Sequence, residues 1–403
     1  MADFHQNGVI TTLHNLHSRP LEDLEAELKE MSKSWPMALI LPSLYSELEQ
    51  PALDKIVEEV AKIDYLEEII IGLDQANEEQ FKHAKSFFSR LPQRTKILWN
   101  DGPRLREIAD KLEEMNLGPT EPGKGRNVWY CFGYFLASGR SRGVALHDCD
   151  IINYDRGMVA KLLYPVMEPT FGYKFCKGYY YRASEGKLNG RVMRLLVSPL
   201  INAFRQMEAE SDFLNYIDSF RYPLAGEFSM FIDVVQTIRI PNDWGLEIGV
   251  LSEIYRNYSP SRVCQVDIAD AYDHKHQPLS HDNPDGGLSK MSTDICRTFY
   301  RKLATSGQVF STEFFRTLRA TYYRAALDYI DHYQADAALN GLTLDRHKEE
   351  KTVELFAHNL AKAGEMFLNR SPEKPFMPSW NRIRSAVPDI YKRIRKAVEA
   401  DNA

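Results

Sequence analysis

The run Val144-Ala-Leu146-His147-Asp148-Cys149-Asp150 decides how this chain is read, because three apolar residues pass directly into a pair of acids. A short stretch that is apolar on both faces is the pattern of a strand buried in a parallel sheet. Three earlier runs repeat it. Met37-Ala-Leu-Ile-Leu41 closes on Pro42, Ile69-Ile-Ile71 passes through Gly72-Leu73 to Asp74, and Ile97-Leu-Trp99 enters Asn100-Asp101. Between them, Leu53, Ile56, Val57, Val60 and Ala61 follow helical spacing, as do Phe81, Ala84, Phe88 and Leu91, then Leu105, Ile108, Leu112 and Met115. A fourth helix is expected over Asn127 to Ala137. Strand–helix alternation on this scale predicts βαβ units with right-handed crossovers, hence an α/β fold. Ligands of open α/β sheets bind outside the carboxyl ends of the strands. Asp74, Asn100, Asp101, Asp148 and Asp150 are all expected at that edge.

Beyond residue 155 the character changes. Phe171 to Tyr181, Val192 to Val197 and Arg262 to Ile268 read as strands, and Phe204 to Phe220 and Leu246 to Asn257 as helices. From about Gly287 the pattern is mainly helical, clearest over Phe310 to Asp336 and Lys348 to Leu368. Pro372, Pro375 and Pro378 interrupt it before a final helix near Pro388 to Ala400. The expected division is an N-terminal segment 1–36, a catalytic domain 37–285 and a helical region 286–403. The catalytic domain would have a donor half to about residue 155 and an acceptor half after it. Sequence does not decide whether the helical region stands apart or packs on the rest.

The 403 residues are 44% hydrophobic and 26% charged, which excludes wholesale disorder. Fifty Lys and Arg against 56 Asp and Glu give a formal charge of -6, unlike a dedicated duplex-DNA binder. The expectation is therefore no nucleic-acid partner. The five cysteines contain no C-x-x-C pair, which argues against a disulfide framework or zinc ribbon and fits a reducing cytosol. The N-terminus lacks the pattern of a secretory signal. The longest apolar stretch, Val128 to Ala137, is about half of what a membrane span needs. The reading is a soluble, cytoplasmic protein with no membrane partner, and it allows a homodimer.

Five groups carry candidate chemistry. Asp148 and Asp150, on one side of a strand end, suit a hard divalent cation such as Mg²⁺, which prefers few protein ligands plus phosphate oxygens. The plainer alternative is a pair of solvated carboxylates. Gly118-Pro-Thr-Glu-Pro-Gly123-Lys124-Gly125 nearly matches the nucleotide-triphosphate loop G-x-x-x-x-G-K-[ST]. It follows a helix, contains two prolines and has Gly125 in place of the hydroxyl, so that loop is excluded. What remains is a turn presenting Lys124 at a helix start, where a nucleotide phosphate can bind. Lys174, Lys177, Arg182, Lys187, Arg191 and Arg194, opposed only by Glu185, form a basic stretch suited to a small anion or to plain surface. In Asp273-His274-Lys275-His276, with His281 beyond, His274 is a candidate to close the metal site. Glu227 in Pro223-Leu-Ala-Gly226-Glu227 suits sugar hydroxyls, and Glu247 in Trp244-Gly-Leu-Glu247-Ile-Gly249 suits either a site or a helix start.

Taken in order, Asp-x-Asp after a strand, Gly-Arg-Val, Leu-Ala-Gly-Glu, Gly-x-Glu-Ile-Gly and a metal-type His form a specific set. That set resembles the retaining glycosyltransferases of family 81, the glucosyl-3-phosphoglycerate synthases and their mannosyl relatives, over about Ala38 to Leu279. The resemblance implies a GT-A fold, a nucleotide-sugar donor, Mg²⁺ or Mn²⁺, and D-3-phosphoglycerate as acceptor. It would place donor uridine near Pro42, Leu44, Glu47 and Asp74, and Lys124 near the diphosphate. Asp148, with Cys149 beside it, and Asp150 would serve ribose and metal, with His274 completing the metal shell. Gly190 and Arg191 would meet the acceptor, Arg194 would compensate for Met193 where the family has Thr, and Glu227 would touch the transferred sugar. Two further departures are Ser43-Leu44-Tyr45-Ser46-Glu47 where Asn-Glu is usual, and Cys149 between the acids in place of Ser.

The implied reaction moves glucose from UDP-glucose to the 2-hydroxyl of 3-phosphoglycerate with retention, in compatible-solute synthesis. Lys124, Asp150 and Glu227 are its catalytic candidates. A GDP-mannose donor, a nucleotidyltransferase releasing pyrophosphate, and a non-catalytic scaffold are the rival readings.

Overall fold

The computed structural model describes residues 6, 8–119, 122–207, 211–270, 272–273, 287–369 and 376–403. Its strands are β1 (Thr11–Leu13), β2 (Met37–Leu44), β3 (Leu66–Asp74), β4 (Arg94–Trp99), β5 (Gly143–Leu146), β6 (Phe175–Tyr180), β7 (Ala183–Ser184), β8 (Lys187–Leu188), β9 (Phe228–Phe231) and β10 (Val263–Ala269). Eight of them form one sheet in the order β1-β10-β6-β9-β5-β2-β3-β4, while β7 and β8 make a separate hairpin. Pairing is parallel except at β9, which runs antiparallel between β5 and β6.

The apolar runs form strands because both faces are covered. Ala38, Ile40, Ile70, Leu98, Val144 and Leu146 enter one core. The alternate positions Leu39, Leu41, Ile69, Ile71, Ile97 and Ala145 enter the other. On the first face lies the helix Lys124–Ser138, most of whose residues are buried. It is packed between β2 and β3 on one side and the last helix, Ile390–Asp401, on the other. The Trp129 and Trp380 rings stack 4.2 Å apart, and the Trp380 indole N–H donates to the Trp129 carbonyl at 3.0 Å. Gly133 leaves room for this, since a Cβ there would come within 2.3 Å of the Trp380 ring. Helix Arg156–Met167 covers the second face.

The C-terminal helices therefore pack on the sheet domain. Gly287–Thr305, Thr312–Leu339 and Arg346–Asn369 pack together, and Thr312–Leu339 lies against Ser198–Gln206. The chain then returns to the outer strand β4. There the Asn402 side chain accepts from the Ile97 N–H at 2.9 Å and donates to the Ile97 carbonyl at 2.8 Å, pairing as a neighbouring strand would. At the opposite edge, β1 pairs with β10, so the N-terminal segment also joins the sheet. Packing crosses both expected boundaries, at 36 and at 286.

Two expectations are corrected. Val192–Val197 is a wide π-helical turn that runs into the helix Ser198–Gln206. A short, mostly apolar run marks burial but does not separate strand from helix. Pro199 has no N–H for the Leu195 carbonyl, and the Tyr322 hydroxyl donates to that carbonyl instead, at 2.6 Å. The single helix expected over 204–220 is two, Ser198–Gln206 and Asp212–Asp218. The second starts at Ser211, whose hydroxyl accepts from the Phe213 N–H at 3.2 Å.

Candidate active site

The carboxyl ends of β2, β3 and β5 and the start of the Lys124–Ser138 helix meet at one edge of the sheet. The Lys124 ammonium lies 2.7 Å from Asp148 Oδ1 and 3.1 Å from Glu247 Oε1. Burial alone would lower the Lys124 pKa, but Asp148 and Glu247 together hold it well above the usual lysine range. The glycines around Lys124 serve close approach: a Cβ on Gly125 would sit 2.0 Å from the Pro241 carbonyl oxygen. That contact explains Gly125 without reference to a phosphate loop.

Asp148, Cys149 and Asp150 follow β5 in a turn, because the strand ends at Leu146. Strand alternation therefore does not govern them, yet the two acids still share one field. Burial, then the charges of Asp148 and Glu47, push the Asp150 carboxyl up to about 8. Cys149 is 2% exposed, and its side chain packs in the second core. Glu47 folds back on its own turn, its Oε2 accepting from the Leu44 N–H at 3.0 Å and the Ser43 hydroxyl at 3.1 Å. Burial pushes Glu47 up to about 7. Pro42 is buried and Leu44 is exposed beside it at the end of β2.

At the end of β3, Asp74 accepts from the Asn100 amide at 2.8 Å and from Arg126 at 3.3 Å. Burial raises its pKa despite both partners. Asn100, Arg126 and Asp74 thus form one polar cluster at the end of β3.

Glu227 arrives at this edge because β9 is antiparallel, which puts the start of that strand beside the ends of its neighbours. It is 0% exposed. The Tyr180 hydroxyl donates to Oε2 and the Tyr272 hydroxyl to Oε1, each at 2.8 Å. The two phenol rings stack at 3.6 Å, nearly parallel. Burial and then Asp148 raise the Glu227 pKa, against those two donors. Gly226 is needed because a Cβ there would lie 2.2 Å from Asp148 Oδ2.

The basic stretch is dispersed by the fold. Lys174 pairs with Asp233 at 3.0 Å at the entry end of β6, away from the strand ends. Lys177 is 0% exposed inside the sheet. Arg194 bonds Glu349 at 2.7 Å and the Asn189 carbonyl at 2.8 Å. With 6% of its side chain exposed, it ties the β7–β8 hairpin to the Arg346–Asn369 helix. Arg182 donates to the Tyr222 hydroxyl at 2.9 Å, and Arg191 lies 3.9 Å from Glu349. Arg182 Nε and one Arg191 terminal nitrogen are buried with no hydrogen-bond partner among the described residues. Gly190, at φ +76°, turns the chain between these guanidiniums.

His274, with His276 and His281, lies outside the described residues. Among the described residues no group of three or more His, Cys, Asp or Glu is placed to hold a metal ion. Tyr180, Tyr272, Arg126, Arg182 and Tyr222 were not selected from sequence as site residues in their own right or, for Arg182, as more than part of a basic stretch. Period-two alternation marks Tyr180 as sharing a face with Gly178 and Cys176 only if β6 is regular. The antiparallel course of β9, which decides who meets Glu227, leaves no local signal.

The mostly parallel sheet with one antiparallel strand, and acids and a lysine gathered at its carboxyl edge, has the GT-A fold, and the relatives of this chain place it among the glycosyltransferases. Over 403 residues the chain is 47% identical to the glucosyl-3-phosphoglycerate synthase of Persephonella marina, covering 100% of both chains. It is 40% identical to that of Methanococcoides burtonii, covering 99% of this chain and 98% of the relative. It belongs to the glucosyl-3-phosphoglycerate synthase family. The fold is also that of the Mycobacterium tuberculosis glucosyl-3-phosphoglycerate synthase crystallised with Mn²⁺, UDP-glucose and phosphoglyceric acid. That likeness has a TM-score of 0.54 and 18% identity, over 73% of this chain and 88% of the other. No protein-family model matches the chain. No helix among the described residues is long and apolar enough to cross a membrane.

Proposed function

We propose that this chain transfers glucose from UDP-glucose to the 2-hydroxyl of D-3-phosphoglycerate, with retention of anomeric configuration, to give glucosyl-3-phosphoglycerate for compatible-solute synthesis. The observation that carries the reading is Lys124 held between Asp148 and Glu247 at the strand-end crevice, in a chain that aligns end to end with synthases of this name. Lys124 is the charge that meets the donor diphosphate. Asp74, Glu47, Pro42 and Leu44 line the uridine side. Gly190, Arg191 and the adjoining Arg182 hold the phosphate and carboxylate of the acceptor, which places its hydroxyl against the sugar and lowers the entropic barrier.

A divalent cation, Mg²⁺ or Mn²⁺, fits the donor set by its chemistry. Hard carboxylate oxygens are crowded together: burial first, and then the charges of Asp148 and Glu47, push Asp150 up to about 8, and a cation would relieve the repulsive part. Asp150 and His274 would hold it, with Asp148 alongside. When bound, it neutralises charge on the departing diphosphate.

The bond between the sugar and the diphosphate breaks as the acceptor oxygen attacks from the same face, and the hydroxyl proton passes to the leaving phosphate oxygen. Lys124 stabilises the charge that develops there. Glu227, fixed by two phenols, orients the sugar hydroxyls. Trapping a glycosyl ester on Glu227 would overturn the front-face course. The test of the whole reading is incubation of 3-phosphoglycerate with UDP-glucose and GDP-mannose, each with and without Mg²⁺. Metal-dependent UDP release with a phosphorylated glucoside supports it. Preference for GDP-mannose, or release of pyrophosphate, refutes it. Five free, buried cysteines accord with a reducing cytoplasm.

A further inference from the structure

The segments that carry Glu227 and Arg182 touch each other twice. β6 ends at Tyr180, two residues before Arg182, and Tyr222 stands five residues before Glu227. At one end of the contact the Tyr180 hydroxyl donates to Glu227 Oε2 at 2.8 Å. At the other end Arg182 donates through Nη1 to the Tyr222 hydroxyl at 2.9 Å. Between these bonds the Tyr180 and Tyr222 rings meet edge to face, with centroids 5.1 Å apart and planes at 64°. Tyr180 also stacks on Tyr272, which donates to the second oxygen of Glu227.

Both segments are held by their own backbones. The Ala225 N–H donates to the Tyr222 carbonyl at 3.0 Å, closing a turn, and the Gly178 N–H donates to the Glu227 carbonyl at 2.9 Å. The Asn189 N–H donates to the Arg182 carbonyl at 2.7 Å. That bond brings Gly190 and Arg191 beside Arg182, so close that a Cβ on Gly190 would lie 3.4 Å from Arg182 Cβ. Arg182 is therefore a node. Its backbone holds the Gly190–Arg191 turn, and its guanidinium holds the turn that leads to Glu227.

A guanidinium on a long rotatable stem keeps one orientation only where something fixes it. Arg182 and Tyr222 are both half-buried. Phenylalanine at 222 would keep the ring contact with Tyr180 and lose the bond to Arg182, so the hydroxyl is what the arrangement uses. We propose that Tyr222 is a positioning residue for the acceptor: its hydroxyl fixes the Arg182 guanidinium, and its ring, set against Tyr180, keeps that guanidinium in register with Glu227. The anion held by Arg182 and the sugar beside Glu227 are then presented to each other at a fixed separation, which lowers the entropic barrier to attack. This rests on the acceptor reading above, in which Arg182 binds an anionic group of the acceptor. Tyr222 acts through Arg182.

The test compares wild type, Tyr222→Phe, Arg182→Met and the double variant at saturating Mg²⁺. It reads kcat and KM for 3-phosphoglycerate and for UDP-glucose, UDP affinity and melting temperature. Tyr222→Phe should raise the KM for 3-phosphoglycerate at least about threefold, with the KM for UDP-glucose and the UDP affinity within about twofold of wild type. A hydroxyl that serves packing alone would lower the melting temperature without that split. Arg182→Met should lose more acceptor kcat/KM than Tyr222→Phe does. Adding Tyr222→Phe to it should change that value by less than about twofold, because the residue through which Tyr222 acts is gone. A smaller rise in acceptor KM in Tyr222→Phe overturns the proposal, whatever the melting temperature. So does an equal rise in both KM values, or a double variant that multiplies the two losses. Should Arg182→Met not fold, Arg182→Lys takes its place in the cycle, since it keeps the charge and loses the fork that Tyr222 orients. An Arg182→Met enzyme with wild-type acceptor kcat/KM, or a wild type that does not use 3-phosphoglycerate, refutes the acceptor reading itself, a result distinct from all of these.

Discussion

Replacing Lys124 with methionine removes a charge while keeping most of the side chain's bulk, and two consequences can be separated. In the resting protein, Asp148 and Glu247 lose a cation at 2.7 and 3.1 Å. Their side chains are 25% and 12% exposed. Breaking a fully buried pair costs roughly 3–5 kcal/mol, and the partial exposure reduces this to about 1–3 kcal/mol. In the reaction, the leaving diphosphate loses one preorganised donor, a loss of about 10²–10³ in kcat by analogy with removal of an oxyanion-hole donor. Adding Asp148→Asn should recover part of the stability, since the orphaned carboxylate is gone, but none of the rate. The assay is UDP release under saturating substrates alongside thermal denaturation of wild type and both variants. A folded Lys124→Met enzyme within about threefold of wild-type kcat, or a double variant that regains rate, would falsify the assignment of Lys124 to the diphosphate.

Tyr180→Phe and Tyr272→Phe should each cost about 1.5–3 kcal/mol of stability, read by urea denaturation, because each removes a 2.8 Å bond to buried Glu227. Together they should also lower kcat more than they raise either KM. Arg194→Met should destabilise by about 3–5 kcal/mol through the orphaned Glu349, leaving the acceptor KM unchanged. Arg191→Met should instead raise that KM at least about tenfold with little change in melting temperature. Glu47 and Asp150 have folded pKa values raised to about 7 and about 8, from unfolded values near those of free carboxyls. Each binds more protons folded than unfolded, so its contribution to stability is complete below about pH 4 and is lost as pH rises to about 8. Metal-free protein should therefore melt earlier at pH 8 than at pH 6 from these groups. Mg²⁺ added at pH 8 should raise the melting temperature and release protons, measurable in an unbuffered solution. A melting temperature that climbs across that interval counts against the crowded-acid description.

The donor half was legible because its signals are local. Each of β2, β3, β4 and β5 holds a short apolar run, and polar residues stand at or just after the same edge: Asp74 at the end of β3, Asn100 and Asp101 after β4, and Asp148 and Asp150 after β5. The turn that holds Lys124 could be placed at a helix start from its glycines alone. What could not be read is what other elements bring from far along the chain. Glu349 claims Arg194 across 155 positions, and Tyr272 reaches Glu227 across 45. Composition makes Arg194 look like an anion ligand, and only packing against a distant helix reveals it as a tie. Val192–Val197 failed for a different reason, since so short and mostly apolar a run carries no periodicity that distinguishes strand from helix.

The amide of Asn402 closing on Ile97 makes the final residues of the chain a plug over an open backbone rail. The Lys85 ammonium fastens that plug by bonding the Ala403 carbonyl at 2.8 Å. Asn402→Ala would leave the Ile97 peptide groups unsatisfied and offer them to a second copy. Turbidity on concentration is the expected sign.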